Sequence, residues 1–284
     1  MKTWQDIITY DTFRFFDHTK TERIFEQPND AITSFAIDDA LSLSVSERVS
    51  HPVVRVWSHP DTIVLGIPDS RLPYLEKGVR FLHEQNYEVM VRNSGGLAVA
   101  LDRGVLNISL ILPNVKKLSI DDGFQAMYHF IQHMFQDITN EIKAYEIVGS
   151  YCPGDYDLSI DGIKFAGISQ RRVKDAAAIQ IYLDIEGNSY ERAKLVRKFY
   201  DLSLQGEETK FVYPTVEPEV LGSLSALLNT KITIENVIER VREAISTTGT
   251  HIIEGIFTEN EREHFSKRYA QMEKRNEIIK KIKK

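Results

Sequence analysis

One thiol and one amine define the covalent chemistry open to this chain. Cys152 is its only cysteine, set in Tyr151-Cys152-Pro153-Gly154-Asp155, and Lys164 follows twelve positions later in Gly162-Ile163-Lys164-Phe165-Ala166-Gly167. A thiolate is a nucleophile, and an ammonium beside it favours the charged sulfur or holds a carbonyl oxygen during attack. Pro and Gly directly after Cys152 exclude a helix interior and predict an exposed turn. The plain alternative for a free cysteine is a buried small hydrophobe. The polar turn around Cys152 and the nearby lysine argue against it. The plain alternative for Lys164 is a salt bridge with Asp157, and the two readings are compatible.

The second group of interest is Arg92-Asn93-Ser94-Gly95-Gly96-Leu97-Ala98-Val99. Glycines let a backbone approach a ligand closely, and successive free N–H groups bind an anion or a carbonyl oxygen. Arg92 suits a carboxylate or a phosphate. No Gly-Lys-Ser/Thr follows and no helix begins there, so this is neither a P-loop nor a dinucleotide fingerprint. Its plain alternative is a hairpin turn between two strands.

These residues need elements to hold them. Asp157–Ile160, Asp161-Gly162 and the run from Ile163 read as a hairpin, because Asp-Gly suits the positive φ angles of a type I′ turn. A two-residue loop pairs Ile160 with Ile163, Ser159 with Lys164, Leu158 with Phe165 and Asp157 with Ala166. Alternation then puts the apolar members on one face and Lys164, Ser159 and Asp157 on the other. Strands are expected at Val53–Trp57, Thr62–Leu65 (paired with each other through a short loop), Glu88–Arg92, Leu97–Leu101, Val105–Leu112 and Ala176–Ile185. Helices are expected from Leu72 to Gln85, from a Ser119/Asp122 cap onward, over Tyr190–Asp201, along the Ile234-to-Ile245 stripe, and after a Thr258/Glu261 cap. Strands and helices interleave while hairpin turns recur, which predicts an α+β fold with a mixed, mostly antiparallel sheet flanked by helices. Residues 1–257 are expected to form the catalytic domain and 258–284 a helical tail of the same domain. The closing run Lys280-Lys281-Ile282-Lys283-Lys284 reads as a solvated terminus.

Composition narrows the function. The chain has 284 residues, 42% of them hydrophobic and 27% charged, which is ordinary for a soluble globular protein. Acidic residues outnumber basic ones 41 to 35, giving a net charge of -6 that argues against nucleic-acid partners. No apolar run is long enough to cross a bilayer and no secretory signal pattern opens the chain. A lone cysteine forms no internal disulfide, so a reducing, cytoplasmic setting is expected. His129 and His133 lie four apart without other metal-ligand spacing, and are read as helix surface. No metal and no cofactor is expected.

Arg92-Asn93-Ser94-Gly95-Gly96 with Ala98-Val99 and Asp102 resembles the Arg-Arg-x-x-Gly-Gly-Gly-x-Val-x-His-Asp stretch of the lipoate/biotin protein ligase superfamily. Asp157, Asp161-Gly162 and Lys164-Phe165-Ala166-Gly167 resemble its Asn-Asp…Asp-Gly-x-Lys-x-Ser-Gly stretch, in which the lysine is the central catalytic residue. Phe35–Leu41 and Val54–Trp57 with Val64–Gly66 are similar to the family's first helix and first strand pair. The resemblance runs from about residue 30 to about residue 245. Asn93, Leu97 and Leu101 depart from the pattern where ligases help bind the nucleotide or acyl-adenylate, which argues against ATP use. A cysteine late in the domain, as some octanoyltransferases of the family have, is absent near Ala176–Ala178. A cysteine ahead of the lysine is the arrangement of the family's amidotransferase branch.

That resemblance implies an acyltransferase. Cys152 and Lys164 would be catalytic, with Arg92, Ser94, Gly95, Gly96, Asp157 and Gly167 binding substrate. It implies transfer of an octanoyl or lipoyl group, through a thioester on Cys152, from a lysine of the glycine cleavage H protein to lipoyl domains of 2-oxoacid dehydrogenases. The alternatives are an acyl carrier protein as donor, an ATP-dependent ligase, or a non-catalytic module that binds lipoyl domains.

Overall fold

Most of the described helix starts are written in side chains that cap their own backbone. The computed structural model describes residues 9–247 and 249–282. In chain order its strands and helices are β1 (Thr12–Asp17), β2 (Arg23–Ile24), β3 (Gln27–Pro28), α1 (Ala31–Ser46), β4 (Val53–Trp57), β5 (Thr62–Leu65), α2 (Leu75–Glu84), β6 (Glu88–Val91), β7 (Val99–Leu101), β8 (Val105–Pro113), α3 (Ile120–Phe135), β9 (Lys143–Ala144), β10 (Asp157–Ile160), β11 (Ile163–Val173), β12 (Ala176–Asp184), α4 (Ser189–Leu204), α5 (Leu224–Leu227), α6 (Ile234–Ser246), β13 (His251–Glu254), α7 (Glu259–Arg275) and α8 (Glu277–Lys280). Ser119 with Asp122, Thr233 with Asn236, and Thr258 with Glu261 form reciprocal capping boxes at α3, α6 and α7.

An eight-stranded sheet runs β13-β1-β4-β8-β12-β11-β10-β9, and a three-stranded sheet runs β6-β5-β7. In the large sheet only the β13/β1 and β1/β4 pairs are parallel, so the fold is α+β with a mixed, mostly antiparallel sheet. Alternation along each strand divides the interior in two. On β4, Val54 and Val56 join a core with Met127 and Phe130 of α3 and Val237 and Val241 of α6. Val53 and Trp57 join a second core with α1, α2, α4 and the small sheet.

Helix α1 carries charge into that second core. Asp38 pairs with Arg55 at 2.9 Å, both essentially unexposed, and also accepts from Ser109 Oγ and Gln180 Nε2 at 2.6 Å. A buried ion pair survives when its spare valences are satisfied in this way.

Three expected pairings are corrected. Strands β4 and β5 do not pair with each other: β4 lies in the large sheet and β5 centres the small one. Strands β6 and β7 form no hairpin either, because both flank β5, β6 in parallel and β7 antiparallel. The Arg92–Ala98 loop therefore crosses the end of β5. In the β10/β11 hairpin, Ile160 faces Ile163 and Ser159 faces Lys164, with Asp161 and Gly162 at φ +51° and +79°. A bulge then pairs Leu158 with Ala166 and Asp157 with Gly167. The expected partners were one residue short, since a bulge inserts one extra residue on one strand.

The C-terminal helices are tied into this frame. Glu261 of α7 bonds Arg14 of β1 at 2.5 and 3.0 Å. Asn276 accepts from Val91 N–H at 2.6 Å and donates to Val91 C=O at 3.1 Å, pairing the edge of β6 as a strand would. Lys280–Ile282 of the basic run are described, whereas Lys283 and Lys284 lie outside the described residues. His129 and His133 of α3 hydrogen-bond Gln132 and Thr247. Among the described residues no helix is long and apolar enough to cross a membrane.

Candidate active site

The two sheets meet at Cys152. Its loop, between β9 and β10, leaves the sulfur partly exposed and holds the residue at φ +48°, a left-handed conformation rare for a non-glycine residue. Such strain persists only where the surroundings enforce it. Here the enforcement comes from below. Lys164 Nζ donates to Ser150 Oγ at 3.1 Å and to the carbonyl oxygens of Tyr151 and Cys152 at 3.0 Å each. It also pairs with Asp157 Oδ1 at 2.8 Å. An ammonium has three protons, so these partners engage all of them. Sγ is not among the partners.

Asp157 completes the layer. Its Oδ2 accepts from Ile147 N–H at 3.1 Å and Ser150 Oγ at 3.3 Å. Burial pushes the carboxyl above its ordinary range, and the Lys164 charge and the N–H donors pull it back. Lys164 and Ser150 are fully buried and Asp157 nearly so. The lysine thus fixes the backbone that presents the thiol.

The sulfur itself faces the other sheet. Leu97 N–H donates to Sγ at 3.1 Å, and Arg92 Nη2 lies 3.4 Å from Sγ while also donating to Leu97 C=O at 2.9 Å. One guanidinium and one amide N–H therefore converge on the sulfur. Gly96 makes this approach possible. Its φ is +99°, and a Cβ there would come within 2.3 Å of Arg92 Nη2 and 2.7 Å of Sγ.

Cys152 opens onto a cleft of ≈ 700 Å³ that Arg92, Gly95, Gly96, Asp157 and Gly167 also line. Lys164 and Ser94 do not line it: the lysine lies beneath the loop and Ser94 is buried. The cleft has features that sequence reasoning missed. Phe124 and Tyr156 stack at 5.1 Å between ring centres on its wall. Tyr182 stands on β12 opposite Gly167, whose absent Cβ would lie 2.8 Å from the ring. A glycine facing an aromatic across a strand pair is a readable signal once the register is known. A slot of ≈ 30 Å³ shares Arg92, Val99, Gly167 and Tyr182 with the cleft, and its other walls include Phe35, Trp57, Val64 and Leu101 with the polar Asn107 and Gln180. Leu97 and Leu101, two of the departures from the family pattern, are packed in the interior. Asp102 of the motif pairs with Arg192 at 2.5 Å.

Comparison with known proteins gives the family. A curated relative from Oceanobacillus iheyensis, an octanoyl-[GcvH]:protein N-octanoyltransferase, is 58% identical over 277 residues, 98% of this chain and 99% of the relative. One from Listeria monocytogenes, a lipoyl-[GcvH]:protein N-lipoyltransferase, is 44% identical over 96% of this chain and 97% of its own. The fold is that of lipoate-protein ligase A bound with ATP (TM-score 0.68, 14% identity, 93% and 95% of the chains). It is also that of a bi-partite lipoate protein ligase from Thermoplasma acidophilum (TM-score 0.67, 16% identity, 95% and 97%). Residues 30–246 match the profile of the lipoyl protein ligase A/B catalytic domain, and the chain belongs to that family.

Proposed function

We propose that this protein is an acyltransferase that moves an octanoyl or lipoyl group from a lysine of the glycine cleavage H protein to a lysine of 2-oxoacid dehydrogenase lipoyl domains. The observation that carries the reading is the convergence of Arg92 and Leu97 N–H on the one thiol, which lines a cleft with Val99, Phe124 and Tyr182. The names of the relatives support the H protein as donor.

In the first half-reaction the Cys152 thiolate attacks the amide carbon of the acyl-lysine. The C–S bond forms, the C–N bond breaks, and the leaving nitrogen takes a proton from solvent at the cleft mouth. In the second, the neutral ε-amine of the acceptor attacks the thioester carbon. A C–N bond forms, the C–S bond breaks, the amine loses a proton, and the thiolate returns. An amide is broken and an amide made, so no nucleotide is consumed. Lys164 serves by holding the Ser150 hydroxyl and the Tyr151 and Cys152 carbonyls, which fixes the loop that presents the thiol. The acyl chain lies along Val99, Tyr182 and the slot beyond, where each buried methylene contributes about 0.8 kcal/mol. An eight-carbon chain is thereby anchored without a charged contact.

The test is transfer without ATP. Purified protein is mixed with octanoylated H protein and an unmodified lipoyl domain, and octanoyl on the lipoyl domain is followed by mass. The expected result is ATP-independent transfer that Cys152→Ser abolishes. Transfer that requires free octanoate and ATP, and survives in Cys152→Ser, identifies a ligase instead. Binding of H protein without any transfer identifies a non-catalytic module.

A further inference from the structure

The donors on the sulfur belong to a loop that must itself be held. Residues 92–98 cross the end of β5 and carry two successive glycines, so the loop has little intrinsic stiffness. Its fixation comes from two side chains outside the cleft. Ala98 N–H, one residue after the donor at Leu97, donates to Tyr200 Oη at 3.2 Å. Tyr200 Oη in turn donates to Asp69 Oδ1 at 3.0 Å. Asp69 Oδ2 accepts from Gly66 N–H at 2.7 Å. Gly66 lies so close beneath the loop that a Cβ would come 1.9 Å from Gly96 C=O. A connected path therefore runs from the end of β5, through Asp69 and Tyr200 of α4, to the backbone beside the N–H that touches sulfur.

Neither side chain lines the cleft, and both are buried, Asp69 at 0% and Tyr200 at 2% exposure. The tyrosine hydroxyl uses one lone pair and its proton, so it has a defined direction rather than a free rotor. Arg92 is the charged group facing Asp69, and the Tyr200 and Tyr213 rings pack together alongside. The carboxylate is thus engaged by Gly66 N–H and the Tyr200 hydroxyl, and its charge is felt by the same guanidinium that reaches Cys152.

We propose that Asp69 and Tyr200 are positioning residues for the thiol: they aim the Leu97 N–H and Arg92 at Sγ by clamping Ala98 and Gly66. This rests on the acyl-transfer reading for its kinetic consequence, but its direct consequence is a property of the thiol alone. A pair that only satisfies polar groups in the core would alter stability and leave the sulfur unchanged.

The experiment compares wild type, Tyr200→Phe, Asp69→Asn and, as a hydroxyl-loss control away from the loop, Tyr128→Phe, whose hydroxyl bonds Ile142 C=O. Iodoacetamide alkylation is followed by intact mass across pH, which reports Cys152 alone because no other thiol exists. Thermal unfolding is recorded on the same samples, and kcat and KM are measured in the transfer assay. Tyr200→Phe is expected to fold, to shift its alkylation profile to higher pH by about half to one unit, and to lower kcat about tenfold, the scale of one lost hydrogen bond. KM is expected to stay within about twofold, since the cleft walls are untouched. Asp69→Asn, which keeps one acceptor, is expected to shift the profile in the same direction by less. Tyr128→Phe is expected to match wild type. An alkylation profile unchanged in both Tyr200→Phe and Asp69→Asn, whatever their stability, overturns the proposal. Should wild type transfer no acyl group, the acyl-transfer reading falls while the alkylation comparison still decides the positioning claim.

Discussion

Lys164 and Arg92 approach Cys152 from opposite sheets, and the molecule uses the two cations differently. Lys164 rises from the β10/β11 hairpin, is fully buried, and directs its donors to Asp157, Ser150 and two carbonyls of the cysteine loop. Arg92 follows β6 of the small sheet, lines the cleft, and brings Nη2 to the sulfur. The lysine twelve positions away shapes the backbone, while the arginine sixty positions away touches the nucleophile. A charge saturated by protein acceptors acts through structure, and a charge with capacity toward a cleft acts on what enters it.

The largest expected effect breaks this comparison if it fails. Lys164→Ala strands a buried carboxylate and two carbonyls, so urea unfolding is expected to show a loss of about 3–5 kcal/mol, the scale for breaking a buried ion pair. Arg92→Gln is expected to unfold within about 1 kcal/mol of wild type. It should nonetheless lower kcat by about 10- to 100-fold, as expected for losing a charged hydrogen bond at the reacting atom. Equal destabilisation by the two changes contradicts the division of roles.

Next comes the pH dependence of stability. Burial pushes Asp69 from 3.8 to about 6 despite its Gly66 and Tyr200 donors. The folded state therefore binds a proton more readily than the unfolded chain between these values. Stability falls as pH rises from about 4 to about 6, by about 3 kcal/mol from this group, and the cost is full above that window. Asp184, pushed up to about 7 by burial, adds a slope in an overlapping window. The check is the difference between wild type and Asp69→Asn in urea unfolding across pH 4 to 7. Removing the carboxyl is expected to flatten the curve, and parallel curves contradict the assignment.

Gly96→Ala sharpens the sulfur side. Its new methyl meets both Arg92 and Sγ, at a φ that costs a non-glycine residue about 1–2 kcal/mol. Alkylation of Cys152 and acyl transfer are expected to fall together while the fold persists. Asn276→Ala has the smallest expected effect on activity. It leaves the Val91 N–H and C=O without their side-chain partners, for about 1–3 kcal/mol by thermal unfolding. Because Val91 precedes Arg92, a modest fall in kcat is expected with it.

The hairpin at Asp161-Gly162 and the capping boxes at Ser119 and Thr258 were legible because each is settled within a few residues by turn chemistry or a side-chain oxygen. Strands β1 and β13 were not read from the sequence. They pair in parallel across most of the chain, Thr12 with His251, and no local pattern encodes a partner that distant. The same limit hid the site's geometry. Cys152 and Lys164 were identifiable by residue type and motif, but the contact of Arg92 with Sγ depends on the 92–98 loop crossing β5 instead of closing a hairpin. The bulge at Leu158/Ser159 likewise moved Gly167 opposite Asp157, where the Tyr182 wall of the cleft becomes visible.

The central claim is that Cys152 carries the acyl group between two proteins. Octanoylated H protein is incubated with the enzyme without ATP or acceptor, quenched in acid, and the enzyme's intact mass is measured. The account predicts one octanoyl group per chain, located on the Cys152 peptide, released when a lipoyl domain is added and absent from Cys152→Ser. An unmodified enzyme that nonetheless supports transfer, or an octanoyl group found on Lys164, contradicts it.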